Sequence, residues 1–177
     1  MRRIRYGVGM SLNGFIADHD GQTDFLVSDS TYDSAPFFAS VDAVIMGRVT
    51  YEAAVRQGMR AYAGLRNYVV SRTLSSADYP EVTILRDASA VAGLRRATGE
   101  DIWLCGGGVL LAGLLAAGLV DTIELGLSPT LLGGEGTPML GLDARLPSTV
   151  PLELTLHRAL PSGLLVLEYA VRKGAEA

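Results

Sequence analysis

The chain has 177 residues, 49% of them hydrophobic and 19% charged, with a formal net charge of -4. This is enough apolar material for a domain-sized core, and the acidic balance without a basic block argues against nucleic acid, whose phosphates are bound by clustered Lys and Arg. A lone cysteine excludes an intrachain disulfide, and two histidines far apart give no metal-ligand spacing, so no metal site is expected.

In chain order, Ile4 to Ser11 is expected as the first strand, with Gly7 and Gly9 leaving room for close approach to its backbone. Asn13-Gly14 makes a turn, Phe15-Ile16-Ala17 a short apolar return, and Ser30 to Ser40 a helix capped by Ser30 with Phe37 and Phe38 facing inward. Val41 to Met46 is a buried strand that ends in Gly47-Arg48-Val49-Thr50, and Thr50 to Arg56 continues as a helix. Asn67 to Ser71 and Val82 to Leu85 are further strands, the first running into Arg72-Thr73. Ala88 to Thr98 reads as a helix with Asp87 as its cap, Ile102 to Cys105 as a strand, and Val109 to Ala117 as an apolar helix closed near Gly118.

After Asp121 the texture changes to strands alone: Thr122 to Leu127, Leu152 to Leu160 and Leu164 to Arg172. The last two are joined by the hairpin signal Pro161-Ser162-Gly163, and the glycine cluster Leu132 to Gly136 reads as a loop. The pattern predicts a three-layer α/β architecture in a single domain, residues 1–177, whose mixed, mostly parallel sheet has an antiparallel C-terminal end. Ile102 to Val120 carries no charge and is long enough to span a bilayer, but Gly106-Gly107-Gly108 interrupts it and no cationic flank anchors it. The basic N-terminus is not followed by the apolar run of a signal peptide, so a cytoplasmic location with no membrane partner is expected.

The chemistry concentrates where strands run into helices. The first turn of a helix presents unpaired N–H groups and partial positive charge, so it binds phosphate and disfavours a fixed cation by roughly 0.3–1 kcal/mol. Arg48 after Gly47 is therefore an odd choice without an anion, and Arg48 with the Thr50 hydroxyl would contact phosphate; the alternative is a solvated arginine and a helix cap. Ser71-Arg72 could take a further phosphate such as the one on the ribose of NADPH, because Arg offers a planar fork of donors; an ordinary loop arginine is the other reading. Gly106-Gly107-Gly108 would let backbone pass close to a pyrophosphate or simply make a tight turn, and it is neither the spaced dinucleotide fingerprint nor a P-loop. Two such junctions in one small α/β chain point to one phosphate-rich cofactor.

Hydrolytic chemistry has little support, since no Gly-x-Ser-x-Gly elbow is present. Cys105 reads as a buried strand-end thiol or as a pocket-lining one, and the acid-base candidates Asp18, Asp20, Asp29 and Asp33 are otherwise loop or capping carboxylates.

These segments, in this order, resemble the dihydrofolate reductase superfamily, particularly its branch related to the riboflavin-pathway reductase, the RibD C-terminal domain. The likeness spans almost the whole chain and is carried by Ser11 to Ala17, Val44 to Glu52, Asn67 to Arg72, Trp103 to Gly108 and Ser128 to Gly136. The resemblance implies an NADPH site across the carboxyl ends of the strands: Gly47, Arg48 and Thr50 on phosphates, Ser71 and Arg72 on the ribose phosphate, and Gly106, Gly107 and Gly108 on the pyrophosphate. Gly9, Ile16 and Ala17 would border the nicotinamide. Two departures bear on substrate, because riboflavin-type reductases commonly have Asp where Asn13 stands and an acidic residue where Cys105 stands.

The expectation is an NADPH-dependent reductase delivering hydride to a C=N or C=O bond of a small heterocycle, with Asp33 positioning or protonating the substrate. Two alternatives stay open: a non-catalytic nucleotide-binding module, favoured by Asn13 and Cys105, and a relative using flavin or deazaflavin. A homodimer is expected to be able to cover the uncharged Ile102 to Val120 surface.

Overall fold

The computed structural model describes residues 1–141, 144, 146 and 149–172. Their elements run β1 (Ile4–Ser11), β2 (Phe15–Asp18), α1 (Ala35–Ala39), β3 (Val41–Gly47), α2 (Arg48–Arg56), β4 (Arg66–Val70) and β5 (Thr83–Leu85). They continue with α3 (Ala88–Arg96), β6 (Asp101–Gly106), α4 (Gly108–Ala116), β7 (Thr122–Ser128), β8 (Gly136–Pro138), β9 (Leu152–Ala159) and β10 (Leu165–Val171). Eight strands form one sheet in the order β5-β4-β3-β6-β1-β7-β10-β9, and β2 pairs separately with β8. The six strands from β5 to β7 are parallel to their neighbours, β10 is antiparallel to β7, and β9 is antiparallel to β10. Parallel pairs need crossover connections, which α2, α3 and α4 provide, whereas the tight 160–164 turn can join only antiparallel strands. The mixed α/β sheet expected from the sequence is the one observed.

Both faces of the sheet are covered at β3, which is why Ala43 to Met46 is a continuous apolar run. Ala43 and Ile45 enter one core with Ile4, Tyr6, Ile102 and Leu104, beneath Val91 of α3 and Leu111 and Leu114 of α4. Val44 and Met46 point the other way, into a core with Tyr51 of α2, Val69, Leu74 and Val82. Side-chain alternation on one strand thus feeds two cores, and each large aliphatic group taken fully from water contributes roughly 1.5–3 kcal/mol. The uncharged stretch is divided between β6 and α4, and among the described residues no helix is long and apolar enough to cross a membrane.

Three elements differ from the sequence expectation. The first helix begins at Ala35 and not at Ser30, because Asp29 accepts Thr31 N at 2.8 Å and Asp33 accepts Ala35 N at 2.9 Å. Such side-chain turns compete with helix, and Pro36 is tolerated only in the first turn. The second helix starts at Arg48, two residues before Thr50, with Gly47 as its N-cap. The third difference is β8, inside the glycine cluster read as a loop: a Cβ on Gly136 would lie 2.7 Å from Ala17 O, so glycine there is what lets β8 pair with β2.

Candidate functional site

The carboxyl ends of β1, β3, β4, β5, β6 and β7 lie along one edge of the sheet, and α2, α3 and α4 all begin there. Their N-termini are treated differently. Asp87 caps α3, accepting Ser89 N at 2.9 Å and Ala90 N at 3.0 Å. Gly47 and Gly107 lead α2 and α4 with no side-chain cap hydrogen bond, so the first-turn donors of both helices are left for another acceptor. The two ends adjoin. A Cβ built on Gly47 would be 3.5 Å from Gly107 N, and one on Gly107 would be 3.1 Å from Thr50 Oγ1. The Gly106-Gly107 peptide is cis, and Gly106 has a φ of +136°, which favours glycine.

Arginine surrounds this patch unequally. Arg48 Nη1 donates to Glu52 Oε2 at 2.8 Å across one turn of α2. That exposed pair, worth about 0.3–0.5 kcal/mol, is of the size of the dipole cost, so a cation at this position is explained without a ligand. Arg72 is exposed and makes no hydrogen bond or ion pair among the described residues. It stands on a turn built by Ser71, which is 6% exposed and whose Oγ accepts Thr73 N at 3.2 Å and Leu74 N at 3.0 Å. Arg86 braces the same turn by donating to Ser71 O at 3.0 Å and Leu74 O at 2.8 Å. Ser71 therefore shapes the turn that presents Arg72.

The three glycines after Cys105 divide. Gly106 and Gly107 face Thr50, whereas a Cβ on Gly108 would lie 2.5 Å from Met139 O. Reading Gly108 as part of a pyrophosphate cradle is thus corrected in one respect: its missing side chain serves the packing of Met139 to Gly141.

On β1 the floor is glycine and the cover comes from the segment after β2. A Cβ on Gly9 would be 2.8 Å from Leu26 Cδ1, and one on Gly7 would be 3.1 Å from Phe37 Cζ. Val27 N donates to Ser128 Oγ at 3.0 Å and Ser162 N donates to Asp29 Oδ2 at 2.9 Å, which ties that segment to β7 and to the β9-β10 turn. Hydrogen bonds from Ser162 and Thr31 hold the Asp29 carboxyl well below the usual carboxylate range. Ile16 and Ala17 lie half-buried on β2. Asn13 has a structural use: Oδ1 accepts from Ser11 Oγ at 2.9 Å and Leu132 N at 3.0 Å, while Nδ2 donates to Leu132 O at 2.9 Å. A carboxylate could not make the last of these.

The carboxylates considered for acid-base work shape turns. Asp33 is exposed and accepts Ala35 N at the entry to α1, Asp18 accepts Asp20 N at 2.9 Å and Gln22 N at 2.8 Å, and Asp20 is exposed beside His19 at 3.0 Å. Among the described residues no group of three or more His, Cys, Asp and Glu could hold a metal ion.

Sequence reasoning missed an aromatic cluster beside the patch. Trp103 of β6 meets Tyr62, Phe38 and Phe37 edge-on at centroid distances of 4.8, 5.5 and 6.0 Å. The Tyr62 hydroxyl lies 3.5 Å from Cys105 Sγ, and burial pushes both the phenol and the thiol up. Burial thus disfavours the Cys105 thiolate that a nucleophile needs. Of the pair expected to face inward only Phe37 is half-buried, Phe38 being 45% exposed, and nothing in a loop sequence marks Tyr62.

Comparison with known proteins bears on the fold and the family. The protein YyaP of Bacillus subtilis is 26% identical over 181 residues, covering 95% of this chain and 94% of that one. Among solved structures, the Thermotoga maritima diaminohydroxyphosphoribosylaminopyrimidine deaminase/5-amino-6-(5-phosphoribosylamino)uracil reductase has a TM-score of 0.70 at 14% identity, over 97% of this chain and 57% of that one. Dihydrofolate reductase from Enterococcus faecalis, complexed with NADP(H) and RAB-propyl, has a TM-score of 0.69 at 13% identity over 97% of each chain. At these identities the two structures share the fold. The family model for the RibD C-terminal domain matches residues 2–166, and the chain belongs to that family.

Proposed function

We propose that the chain is an NADPH-dependent reductase that delivers hydride to a C=N or C=O bond of a small heterocyclic substrate. One observation carries this reading: two glycine-led helix starts lie side by side with the Thr50 hydroxyl between them and, at a neighbouring strand end, an Arg72 that is unpaired among the described residues. Donors held in place without side-chain acceptors fit a dinucleotide's phosphates. Family membership supports a reductase, as do the uracil reductase named for the Thermotoga protein and the NADP(H) of the Enterococcus complex.

When bound, the nicotinamide supplies the hydride. The chain supplies the geometry. First-turn N–H groups after Gly47 and Gly107, with Thr50, would hold phosphates, and Arg48 would join them by exchanging Glu52 for a phosphate oxygen. Arg72, on the Ser71 turn, would hold the ribose phosphate, while Gly9, Ile16 and Ala17 would border the nicotinamide. Asp33 would position the substrate or help protonate it, with water as the other proton source.

The alternative of a non-catalytic nucleotide-binding module loses one support, because Asn13 is explained by its bonds to Leu132. We place the protein in the cytoplasm and, if it dimerises, assign the contact to β9, whose eight residues are all exposed and include Leu152, Leu154 and Leu156. The 102–120 stretch is unsuited to that role, since Leu104, Leu111 and Leu114 are fully buried.

Calorimetric titration with NADPH and NADH, on wild type and Arg72→Ala, tests the reading. NADPH should bind more tightly than NADH, and the substitution should weaken NADPH by about tenfold to a hundredfold, the worth of a charge-assisted hydrogen bond, while leaving NADH alone. If neither nucleotide binds wild type, the reading fails and the glycine turns are purely structural.

A further inference from the structure

Between α1 and the loop before β4 lies a cavity of about 360 Å³ lined by Phe38, Val41, Tyr62, Ala63, Gly64 and Leu65. This falls within the range of small-ligand sites, roughly 300–1,000 Å³. Its wall is built in advance. Asn67, 8% exposed, accepts Tyr62 N at 2.8 Å through Oδ1 and donates through Nδ2 to Tyr62 O at 2.9 Å and Leu65 O at 2.8 Å. The loop's polar backbone is thereby turned toward Asn67, and its lining side chains face the cavity without an acid or a base among them.

The same aromatic residues connect the cavity to the nucleotide patch. Phe38 and Tyr62 each line the cavity and each meet Trp103 edge-on. Trp103 is fixed by donating its indole N–H to Gly7 O at 3.0 Å. The Tyr62 hydroxyl reaches Cys105, the residue before Gly106. Val41 in the cavity wall begins the strand that ends at Gly47, six residues and roughly 20 Å on, so a substrate seated here must be long enough to reach the nucleotide patch.

Nearby cations are already matched. Arg5 lies 4.7 Å over the Phe37 ring but is held by both oxygens of Glu124, at 2.7 and 2.8 Å. Arg66, next to Leu65, is paired with Asp42, and Arg60 with Glu81 at 3.3 Å. A phosphate entering here would meet no unpaired cation among these three and would lose its hydration without compensation. A flat ring would gain edge-to-face contacts with Tyr62 and Phe38.

We propose that this cavity takes a planar, uncharged aromatic part of the substrate and rejects a phosphorylated one, in contrast to the phosphoribosyl compound named for the Thermotoga relative. The assignment deepens, and rests on, the reductase reading above. Calorimetry with 2-naphthol and 2-naphthyl phosphate on the full chain tests it, alongside Ala63→Trp, which fills the mouth of the cavity from an exposed position. The phenol should bind at least tenfold more tightly than its ester, and Ala63→Trp should weaken the phenol by tenfold or more without changing the NADPH titration. Equal or tighter binding of the ester, no binding of the phenol, or an Ala63→Trp protein that binds it unchanged overturns the proposal. NADPH binding with no 2-naphthol binding sinks the cavity assignment alone. Cavity-dependent 2-naphthol binding without NADPH binding sinks the reductase reading and, with it, the assignment of the cavity to that reaction's substrate.

Discussion

The two edges of the sheet use polar groups in opposite ways. At the amino edge, charge is paired: Arg2, 3% exposed, pairs with Asp42, which also pairs with Arg66 and accepts Glu100 N at 3.1 Å. Desolvation pulls the Arg2 guanidinium pKa down and Asp42 opposes it. Arg3 is held by Asp101 at 2.8 Å, and Asp121 takes Ile4 N at 2.8 Å and Arg95 at 2.5 Å. These contacts fasten the starts of β1, β3, β4, β6 and β7. At the carboxyl edge, by contrast, α2 and α4 forgo the roughly 1 kcal/mol a side-chain cap provides, and Arg72 is left unpaired. The difference separates polar groups that hold the fold from those held ready for a ligand.

Four substitutions break or sharpen that contrast. Asp42→Ala should have the largest effect: it strands buried Arg2 and should lower stability by about 3 kcal/mol in chemical denaturation, with nucleotide affinity unchanged. A loss below about 1 kcal/mol would put this cluster among ordinary surface pairs. Gly47→Asp should do the reverse. A side chain fits there at ordinary contact distance, so the fold should keep its stability while a carboxylate at the α2 N-terminus weakens NADPH on the order of 100-fold by calorimetry. Unchanged affinity would remove α2 from the nucleotide site.

Asp87→Ala, at the one side-chain-capped helix of this edge, should lower stability by about 1 kcal/mol and leave nucleotide binding alone. A nucleotide effect would mean that α3 belongs to the site after all. The smallest effect should come from Asp29→Asn. The folded carboxyl sits below its ordinary 3.8, so its contribution is present above that value and is lost as pH falls through it toward the folded pKa. The stability difference between wild type and Asp29→Asn should be constant from about pH 7 to 5 and shrink below about pH 4. A difference independent of pH would show that the Ser162 tether does not depend on the ionised carboxylate.

What was readable from residues alone followed from short-range rules. Ile4 to Ser11 was bounded correctly by its apolar pattern, and Asp87 was the cap it was expected to be, because both are properties of a few adjacent residues. The first helix was overextended because the turns at Asp29 and Asp33 compete with helix in a way composition does not reveal. β8 was missed because its partner, β2, lies more than 100 residues away.

The sequence by itself determined the α/β class, the apolar run that buries both faces of β3, the strand-to-helix junctions at Gly47 and Gly106, and the strand end at Ser71. Each of these depends on residue type and local order. Tertiary structure alone decided which of those groups are at liberty: Arg48 is engaged by Glu52 and Gly108 has no room for a side chain beside Met139, whereas Arg72 makes no pair among the described residues and Gly47 and Gly107 meet across the edge. It also decided that Phe38, Tyr62 and Trp103, from three separate segments, gather into one cluster. The physical reason is that partners in a parallel sheet are set by crossover and register, so contacts between distant segments exist only once the strands are in order.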